Sequence, residues 1–296
     1  MSDSNLLPVG FYDSFGEIAK RSYIINNKII DYLLSNGFEL FIPSPVEYSD
    51  LANIDLDKKF TVLDPLSDNH LTIRSDITSQ VHRAVNYSDL DPLNICYSGV
   101  VLRLNNDKNN HSRSFKQVGF EILSKDKDFK ADELAFSYLC KLLELINVKS
   151  YKIIFSSKSI LDFFRDKLGF DDSLIQKITS KNDINLIFDS CDFENIYEYL
   201  APKDNIFFEN QSFLTYDTDF KEYYEAVNKI FLKLPKNLAK SFVFDPLNFQ
   251  SSNYNSGNFF SIIDNETNNT IVRGGEYFIK NYGFGFGASF YMEEIV

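Results

Sequence analysis

Asn94-Ile-Cys-Tyr-Ser-Gly-Val-Val-Leu-Arg-Leu104 and Ser114-Phe-Lys-Gln-Val-Gly-Phe-Glu-Ile-Leu123 are two runs rich in β-branched and aromatic residues, and the polar stretch Asn105 to Arg113 lies between them. Two such runs with a polar connection predict a long β-hairpin, the centre of an antiparallel sheet. The charged residues inside these runs matter most. An ionised side chain in a half-buried strand is costly unless it is paired or faces a ligand. Arg103 and Glu121 lie within the runs, Arg74 ends another β-rich stretch upstream, and Asp76 follows it. Gln117 and Glu121 are four residues apart on one strand and so face one side, where Arg103 on the preceding strand can join them. Spacing alone supports mutual ion pairing and a ligand pocket about equally.

Working outward toward the N-terminus, a helix is predicted from Ser14, with Glu17 as the partner in a capping box, closed by Asn36-Gly37. Phe38 to Ile42 reads as a strand running into Pro43-Ser44-Pro45, where two prolines force a turn or a sheet edge. Residues 60–64 and 70–74 form a second predicted hairpin around the turn residues 65–69, and a helix follows from Ile77 to Val85. Toward the C-terminus, Asp132 to Val148 is an amphipathic helix behind an acidic first turn, and Tyr151 to Phe155 is a strand. From Ser159 to Lys240 the pattern is helical, with segments such as Ile160 to Lys167 and Phe220 to Leu234. Strands return at Ser241 to Phe244, Phe259 to Ile263, Thr270 to Val272 and Phe284 to Tyr291. Strands on either side of a helical stretch predict an α/β (α+β) fold, a mostly antiparallel sheet flanked by helices with a helical insertion at about 159–240.

The chain has 296 residues, 44% of them hydrophobic, and no apolar run approaches the roughly 18 residues of a membrane span. Thirty basic and forty-two acidic residues give a net charge of -12, which disfavours nucleic acid as a partner. Cys96, Cys140 and Cys191 are too far apart for a redox pair or zinc knuckle and read as reduced core residues. Met1 to Leu6 lacks the features of a secretory signal, so a cytoplasmic location is expected. His70, His82 and His111 have no metal-ligand spacing, so neither a metal nor a cofactor is expected. Gly283-Phe-Gly-Phe-Gly287 imitates a dinucleotide fingerprint, but it continues into strand-like sequence, and Gly274-Gly275 reads as a turn.

Four segments carry a resemblance: Leu6-Leu-Pro-Val-Gly-Phe-Tyr-Asp13, Ile73-Arg-Ser-Asp-Ile-Thr-Ser-Gln80, Tyr97-Ser-Gly-Val-Val-Leu-Arg103 and Phe115-Lys-Gln-Val-Gly-Phe-Glu121. In order and spacing they resemble the catalytic domain of histidyl-tRNA synthetase. They are closer still to its non-synthetase relatives, the ATP phosphoribosyltransferase regulatory subunits, where a Leu-Arg-x-Asp-x-Thr-x-Gln segment is typical. The resemblance implies a class II aminoacyl-tRNA synthetase-like core over residues 1–296 with no anticodon-binding domain after it. Departures from the synthetase pattern are specific. Arg103 matches the motif 2 arginine and Arg113 is kept, but the ATP-gripping charges between them give way to Leu104-Asn-Asn-Asp-Lys-Asn-Asn110. The motif 3 arginine falls on Met292, the histidine-specific catalytic arginine on Gln250, and the motif 1 proline on Ser44. Losing the motif 3 arginine removes a clamp on the ATP phosphates, and the loss of both arginines argues against adenylate formation.

By the same resemblance, the histidine-recognition residues survive. Asp76 and Thr78 would bind the α-amino group and Arg103 the carboxylate. Gln117 and Glu121 would belong to the same pocket, and Tyr254 would lie near the imidazole, although Asn253 and Asn255 replace the family's Asp and Tyr. A zwitterion needs one anionic and one cationic partner at fixed separation. The implied function is that of a non-catalytic regulatory subunit. It would dimerise and assemble with the short ATP phosphoribosyltransferase catalytic subunit, enable the first step of histidine biosynthesis and confer feedback by L-histidine. The alternative is a degenerate synthetase-like, amino-acid-adenylating enzyme. Neither nucleic acid nor membrane is an expected partner.

Overall fold

The computed structural model describes residues 7–48, 59–85, 89, 91–104, 112–126, 130–181, 185–190, 196–248 and 255–296. By backbone contacts the chain divides into two compact units, Met1–Phe129 with Ile279–Val296, and Lys130–Phe278.

The first unit begins with α1 (Gly16–Ser35), which buries Ile25, Ile29 and Leu33 at helical spacing against the sheet. The Ser14–Glu17 capping box does not form. Phe15 occupies the N-cap without a side-chain bond, and Glu17 pairs with Lys20 at 3.3 Å. The helix ends as expected at Asn36-Gly37, where Gly37 takes φ +84° and donates its N–H to Leu34 O. Then come β1 (Glu39–Phe41), β2 (Val46–Tyr48), β3 (Thr61–Leu63), β4 (His70–Ile73), α2 (Thr78–Val85), β5 (Leu93–Leu102) and β6 (Ser114–Ser124). The predicted hairpin of β3 and β4 is present, and β2 completes a small antiparallel sheet in the order β2-β4-β3.

Pro43-Ser44-Pro45 carries the chain from β1 to the small sheet. Prolines have no N–H to donate, but their carbonyls still need donors. Arg74 supplies its Nη1 to Pro43 O at 2.8 Å and its backbone N–H to Pro45 O at 3.1 Å, while Gln80 Nε2 reaches Ser44 O at 2.8 Å. The crossing is therefore fixed from the segment that opens α2.

The second unit holds α3 (Ala131–Leu145), β7 (Tyr151–Ser157), α4 (Ser159–Asp166), α5 (Asp172–Lys181), α6 (Asn185–Asp189), α7 (Ile196–Leu200), β8 (Lys203–Asp204), α8 (Asn205–Glu209), a 3-10 turn (Ser212–Thr215), α9 (Thr218–Phe231), α10 (Lys236–Ala239), β9 (Phe242–Phe244), β10 (Asn255–Asp264) and β11 (Thr270–Ile279). Its β10 runs antiparallel to β7 and β11, while β9 is parallel to β7. The chain's many aromatics cluster here: Phe155, Phe208, Phe231, Phe242 and Phe244 are buried and in mutual ring contact. Gly274-Gly275 is not a turn. Both glycines lie inside β11 opposite Phe260 and Phe259, and a Cβ at residue 275 would stand 2.7 Å from Asn258 O. Close strand approach beside a register irregularity, not chain reversal, requires glycine there.

The chain returns to the first unit with β12 (Gly283–Tyr291) and α11 (Met292–Ile295). Here β12 is antiparallel to β6, β6 is antiparallel to β5, and β5 is parallel to β1. The sheets are thus mixed and mostly antiparallel, flanked by helices. Among the described residues, no helix is long and apolar enough to cross a membrane. Cys96 and Cys140 are buried free thiols, and burial pushes the Cys96 thiol up to about 11; Cys191 lies outside the described residues.

Candidate functional site

The floor of the site is one face of β5, β6 and β12. The two registers place Gly99, Gln117 and Tyr291 in one cross-strand row, Tyr97, Gly119 and Ser289 in the next, and Ile95, Glu121 and Gly287 in the third. Each row and each strand contributes one glycine, and each glycine leaves room that a neighbour fills. A Cβ at residue 99 would lie 2.6 Å from Arg74 Nη2, one at residue 119 would lie 2.7 Å from the Tyr97 hydroxyl, and one at residue 287 would collide with the Glu121 carboxylate. The dinucleotide-like glycines of β12 are thus strand residues, and Gly287 makes space for a buried acid.

Gln117 and Glu121 are each 1% exposed. Glu121 Oε1 accepts from Thr78 Oγ1 at 2.8 Å and from the Tyr97 hydroxyl at 3.0 Å, and the Tyr97 hydroxyl meets Ser289 Oγ at 2.7 Å. Burial, together with the negative charges of Glu121 and Asp76, holds the Tyr97 phenol well above its ordinary pKa, so it remains a donor. Gln117 Oε1 accepts the Ile77 N–H at 3.3 Å, and its Nε2 points to Asp76 Oδ1 at 3.4 Å.

Asp76 and Arg103 form the open side. Their side chains are 16% and 28% exposed, and Arg103 Nη2 lies 3.5 Å from Asp76 Oδ1. Arg103 is held by Nε donating to Ser75 O at 2.7 Å and by the Phe115 ring 4.9 Å beneath its guanidinium. Asp76 Oδ2 accepts the Ser79 N–H at 3.3 Å at the start of α2. The pair is longer than the 2.7–2.9 Å of a tight charge-assisted bond. A partly exposed acid and arginine so placed can pair with the ammonium and carboxylate of a zwitterion.

Five of the six expected pocket residues, Asp76, Thr78, Arg103, Gln117 and Glu121, therefore meet on this face. Tyr254 lies outside the described residues, as do Gln250, Asn253 and the loop 105–111. Arg74 is structural: Nε donates to Val100 O at 2.6 Å and Nη1 to Pro43 O. Arg113 packs its guanidinium 4.6 Å from the Phe60 ring centroid and 5.4 Å from that of Phe11. Met292, on the position of the motif 3 arginine, is 1% exposed. Composition and motif reading missed Tyr97 and Ser289. The available signal was a phenol in the middle of an apolar strand, since a buried tyrosine hydroxyl requires a partner. Among the described residues, no group of three or more His, Cys, Asp or Glu side chains is placed to hold a metal.

The family model for histidyl-tRNA synthetase matches residues 10–295. The chain is 27% identical over 184 residues to an ATP phosphoribosyltransferase regulatory subunit of Streptococcus gordonii, and 28% identical over 176 residues to one of Thiobacillus denitrificans. These matches cover 60% and 57% of the chain but only 55% and 54% of the relatives, so the chain spans about half their length. Its fold is that of a Bacillus halodurans protein described as an ATP phosphoribosyltransferase regulatory subunit/histidyl-tRNA synthetase, with a TM-score of 0.81 at 18% identity, covering 100% of this chain and 83% of that one. A histidine–tRNA ligase subunit from Alicyclobacillus acidocaldarius superposes with a TM-score of 0.77 at 16% identity, over 100% and 97% of the two chains. The match of nearly the whole sequence to one family model, on a shared fold, establishes that this chain belongs to the histidyl-tRNA synthetase family.

Proposed function

We propose that the chain is a regulatory, non-catalytic subunit of an ATP phosphoribosyltransferase, acting in the cytoplasm as a dimer together with the short catalytic subunit. In this reading residues 159–240 are an insertion in one class II-like domain. The complex joins ATP to phosphoribosyl pyrophosphate, the first step of histidine biosynthesis. L-histidine bound across Asp76 and Arg103 is the feedback signal, and it must bind two assembly states with unequal affinity, since equal binding shifts nothing.

The observation that carries this reading is an acid–arginine pair on the sheet face together with an apolar core residue where the synthetase pattern has an arginine. Arg103 and Asp76 stand 3.5 Å apart over a buried Gln117 and Glu121, whereas Met292 fills a core position at 1% exposure where the synthetase pattern has an arginine. A guanidinium in that position would need a charged or hydrogen-bonding partner to offset its desolvation. The two relatives named above, both regulatory subunits, point the same way. Exposed apolar side chains at the β1 edge, Leu40 at 48% and Ile42 at 82%, fit a chain that meets a partner.

Assembly tests the proposal. Mixed with the short catalytic subunit of its own organism, the chain is expected to form a hetero-oligomer by light scattering. Two unmixed populations at micromolar concentration would contradict it. ATP-dependent pyrophosphate exchange by the chain alone would favour the adenylating alternative instead.

A further inference from the structure

The three carbonyls of the Pro43-Ser44-Pro45 crossing all accept hydrogen bonds from the short segment that also carries Asp76. Arg74 serves the outer two, Nη1 donating to Pro43 O at 2.8 Å and the backbone N–H to Pro45 O at 3.1 Å, and Gln80 Nε2 serves the middle one, Ser44 O, at 2.8 Å. The two anchors stand on different elements. Arg74 is tied to β5, where its Nε donates to Val100 O at 2.6 Å and its carbonyl accepts the Leu102 N–H at 3.0 Å. Gln80 rides on the first turn of α2, next to the Ser79 N–H that Asp76 accepts.

Gln80 is fully buried, and its Oε1 has no donor among the described residues. An amide that satisfies one carbonyl while its own oxygen stays unpaired gains little net stability. A methionine fills a similar volume without that cost, so packing does not account for the glutamine, whereas its bond to Ser44 does. The Asp76 carboxylate is held more loosely. It accepts the Ser79 N–H at 3.3 Å and Gln117 Nε2 at 3.4 Å and lies 3.5 Å from Arg103 Nη2, all at or beyond the long end of the hydrogen-bond range. An ammonium that draws this carboxylate toward itself pulls on Ser79 and on the turn that carries Gln80. Contacts are long where a ligand acts and short where α2 meets the crossing.

We propose that Gln80 couples the Asp76–Arg103 pair to the exposed β1–β2 edge. A ligand at the pair shifts the first turn of α2, and the Gln80 amide passes that shift to the Ser44 peptide while Arg74 holds the two neighbouring carbonyls still. The inference rests on the reading of the pair as an amino-acid effector site and names how that site is read out. The edge it reaches is apolar and open, with Leu40 and Ile42 exposed before the crossing and Tyr48 after it. Ser44 Oγ donates to Val46 O at 2.8 Å, so a turn of the Ser44 peptide is felt at the first residue of β2. Coupling of this kind needs an element with two arrangements that the ligand favours unequally, and the first turn of α2 is that element.

Hydrogen–deuterium exchange of the full chain with and without L-histidine tests this. Protection at residues 76–80 reports that the ligand is bound. With histidine bound, the amides of residues 39–48 are expected to exchange more slowly by about fivefold or more, the low end of coupling between distinct sites, while those of β7 in the second unit do not change. In Gln80→Met the protection at 76–80 is expected to remain and the slowing at 39–48 to be lost. Circular dichroism checks the fold, and Gln80→Asn, whose shorter amide withdraws from Ser44 O, replaces Gln80→Met if that variant does not fold. Unchanged exchange at 39–48 in the ligand-bound native protein, equal slowing at β7, or a response that survives withdrawal of the amide overturns the coupling while leaving the effector site standing. No protection at 76–80 and no calorimetric binding of histidine by the native protein overturns the parent reading and this inference with it.

Discussion

The Glu121 carboxylate occupies the space in which a Cβ of residue 287 would stand. That relationship joins the centre of β6 to the centre of β12 and accounts for a glycine that packing alone would not select. Gly287→Ala is therefore expected to destabilise the protein by about 1–3 kcal/mol through overpacking. Glu121→Ala in the same chain is expected to recover most of that loss, because the collision is removed. Urea unfolding of the single and double variants measures the coupling directly. Additive losses would show that the two residues do not compete for the same space.

Arg74 is expected to matter for stability. Its guanidinium serves Val100 O and Pro43 O and fills the place of a side chain at Gly99. Arg74→Ala leaves these carbonyls without their side-chain donor and opens a void, so a loss of about 2–4 kcal/mol is expected by urea unfolding. Arg74→Lys is expected to rescue little, because one ammonium does not reproduce the planar fork.

His82 predicts a pH dependence. Burial lowers its pKa from 6.5 to about 4, against the opposing pull of Asp76. The unfolded chain thus takes up a proton that the folded chain refuses. Its contribution is fully present above pH 6.5 and is lost as the pH falls toward 4, by up to about 3 kcal/mol. Urea midpoints at pH 7.5 and 5 are expected to differ more for the native protein than for His82→Gln. Equal differences would remove His82 as the cause.

Met292→Arg is expected to cost about 2 kcal/mol or more in urea unfolding, since it places a charge in a core position. It is not expected to produce pyrophosphate exchange. Gain of that activity would mean that the adenylation site is intact but for one residue.

The elements that period and turn chemistry mark strongly were legible in the sequence: the β5–β6 hairpin, the β3–β4 hairpin, α2, α3, and the helical character of 159–240. Local signals misled where tertiary contacts overrode them. Ser14 and Glu17 spell a capping box, yet the helix begins at Gly16 without it. Gly274-Gly275 spells a turn, yet both lie inside β11 and close strand approach is what needs Gly275. The charges at residues 76, 103 and 121 stand out by their cost in a strand, and the structure gives each of them partners. Asp76 and Arg103 are paired, while Glu121 is served by hydroxyls. No spacing rule separates Arg74, whose guanidinium serves the carbonyls of Val100 and Pro43, from Arg103, whose guanidinium also meets Asp76; only the three-dimensional contacts do so. Tyr97 and Ser289 are 192 residues apart, and their meeting depends on β12 returning beside β6.

The most direct measurement is the rate of phosphoribosyl-ATP formation by the short catalytic subunit of the same organism, alone, with this chain, and with this chain plus L-histidine. Activation by the chain that histidine reverses is expected, with the reversal lost in Asp76→Ala and Arg103→Ala while activation remains. A catalytic subunit indifferent to the chain would contradict the regulatory reading, and histidine inhibition that survives both substitutions would contradict the placement of the effector.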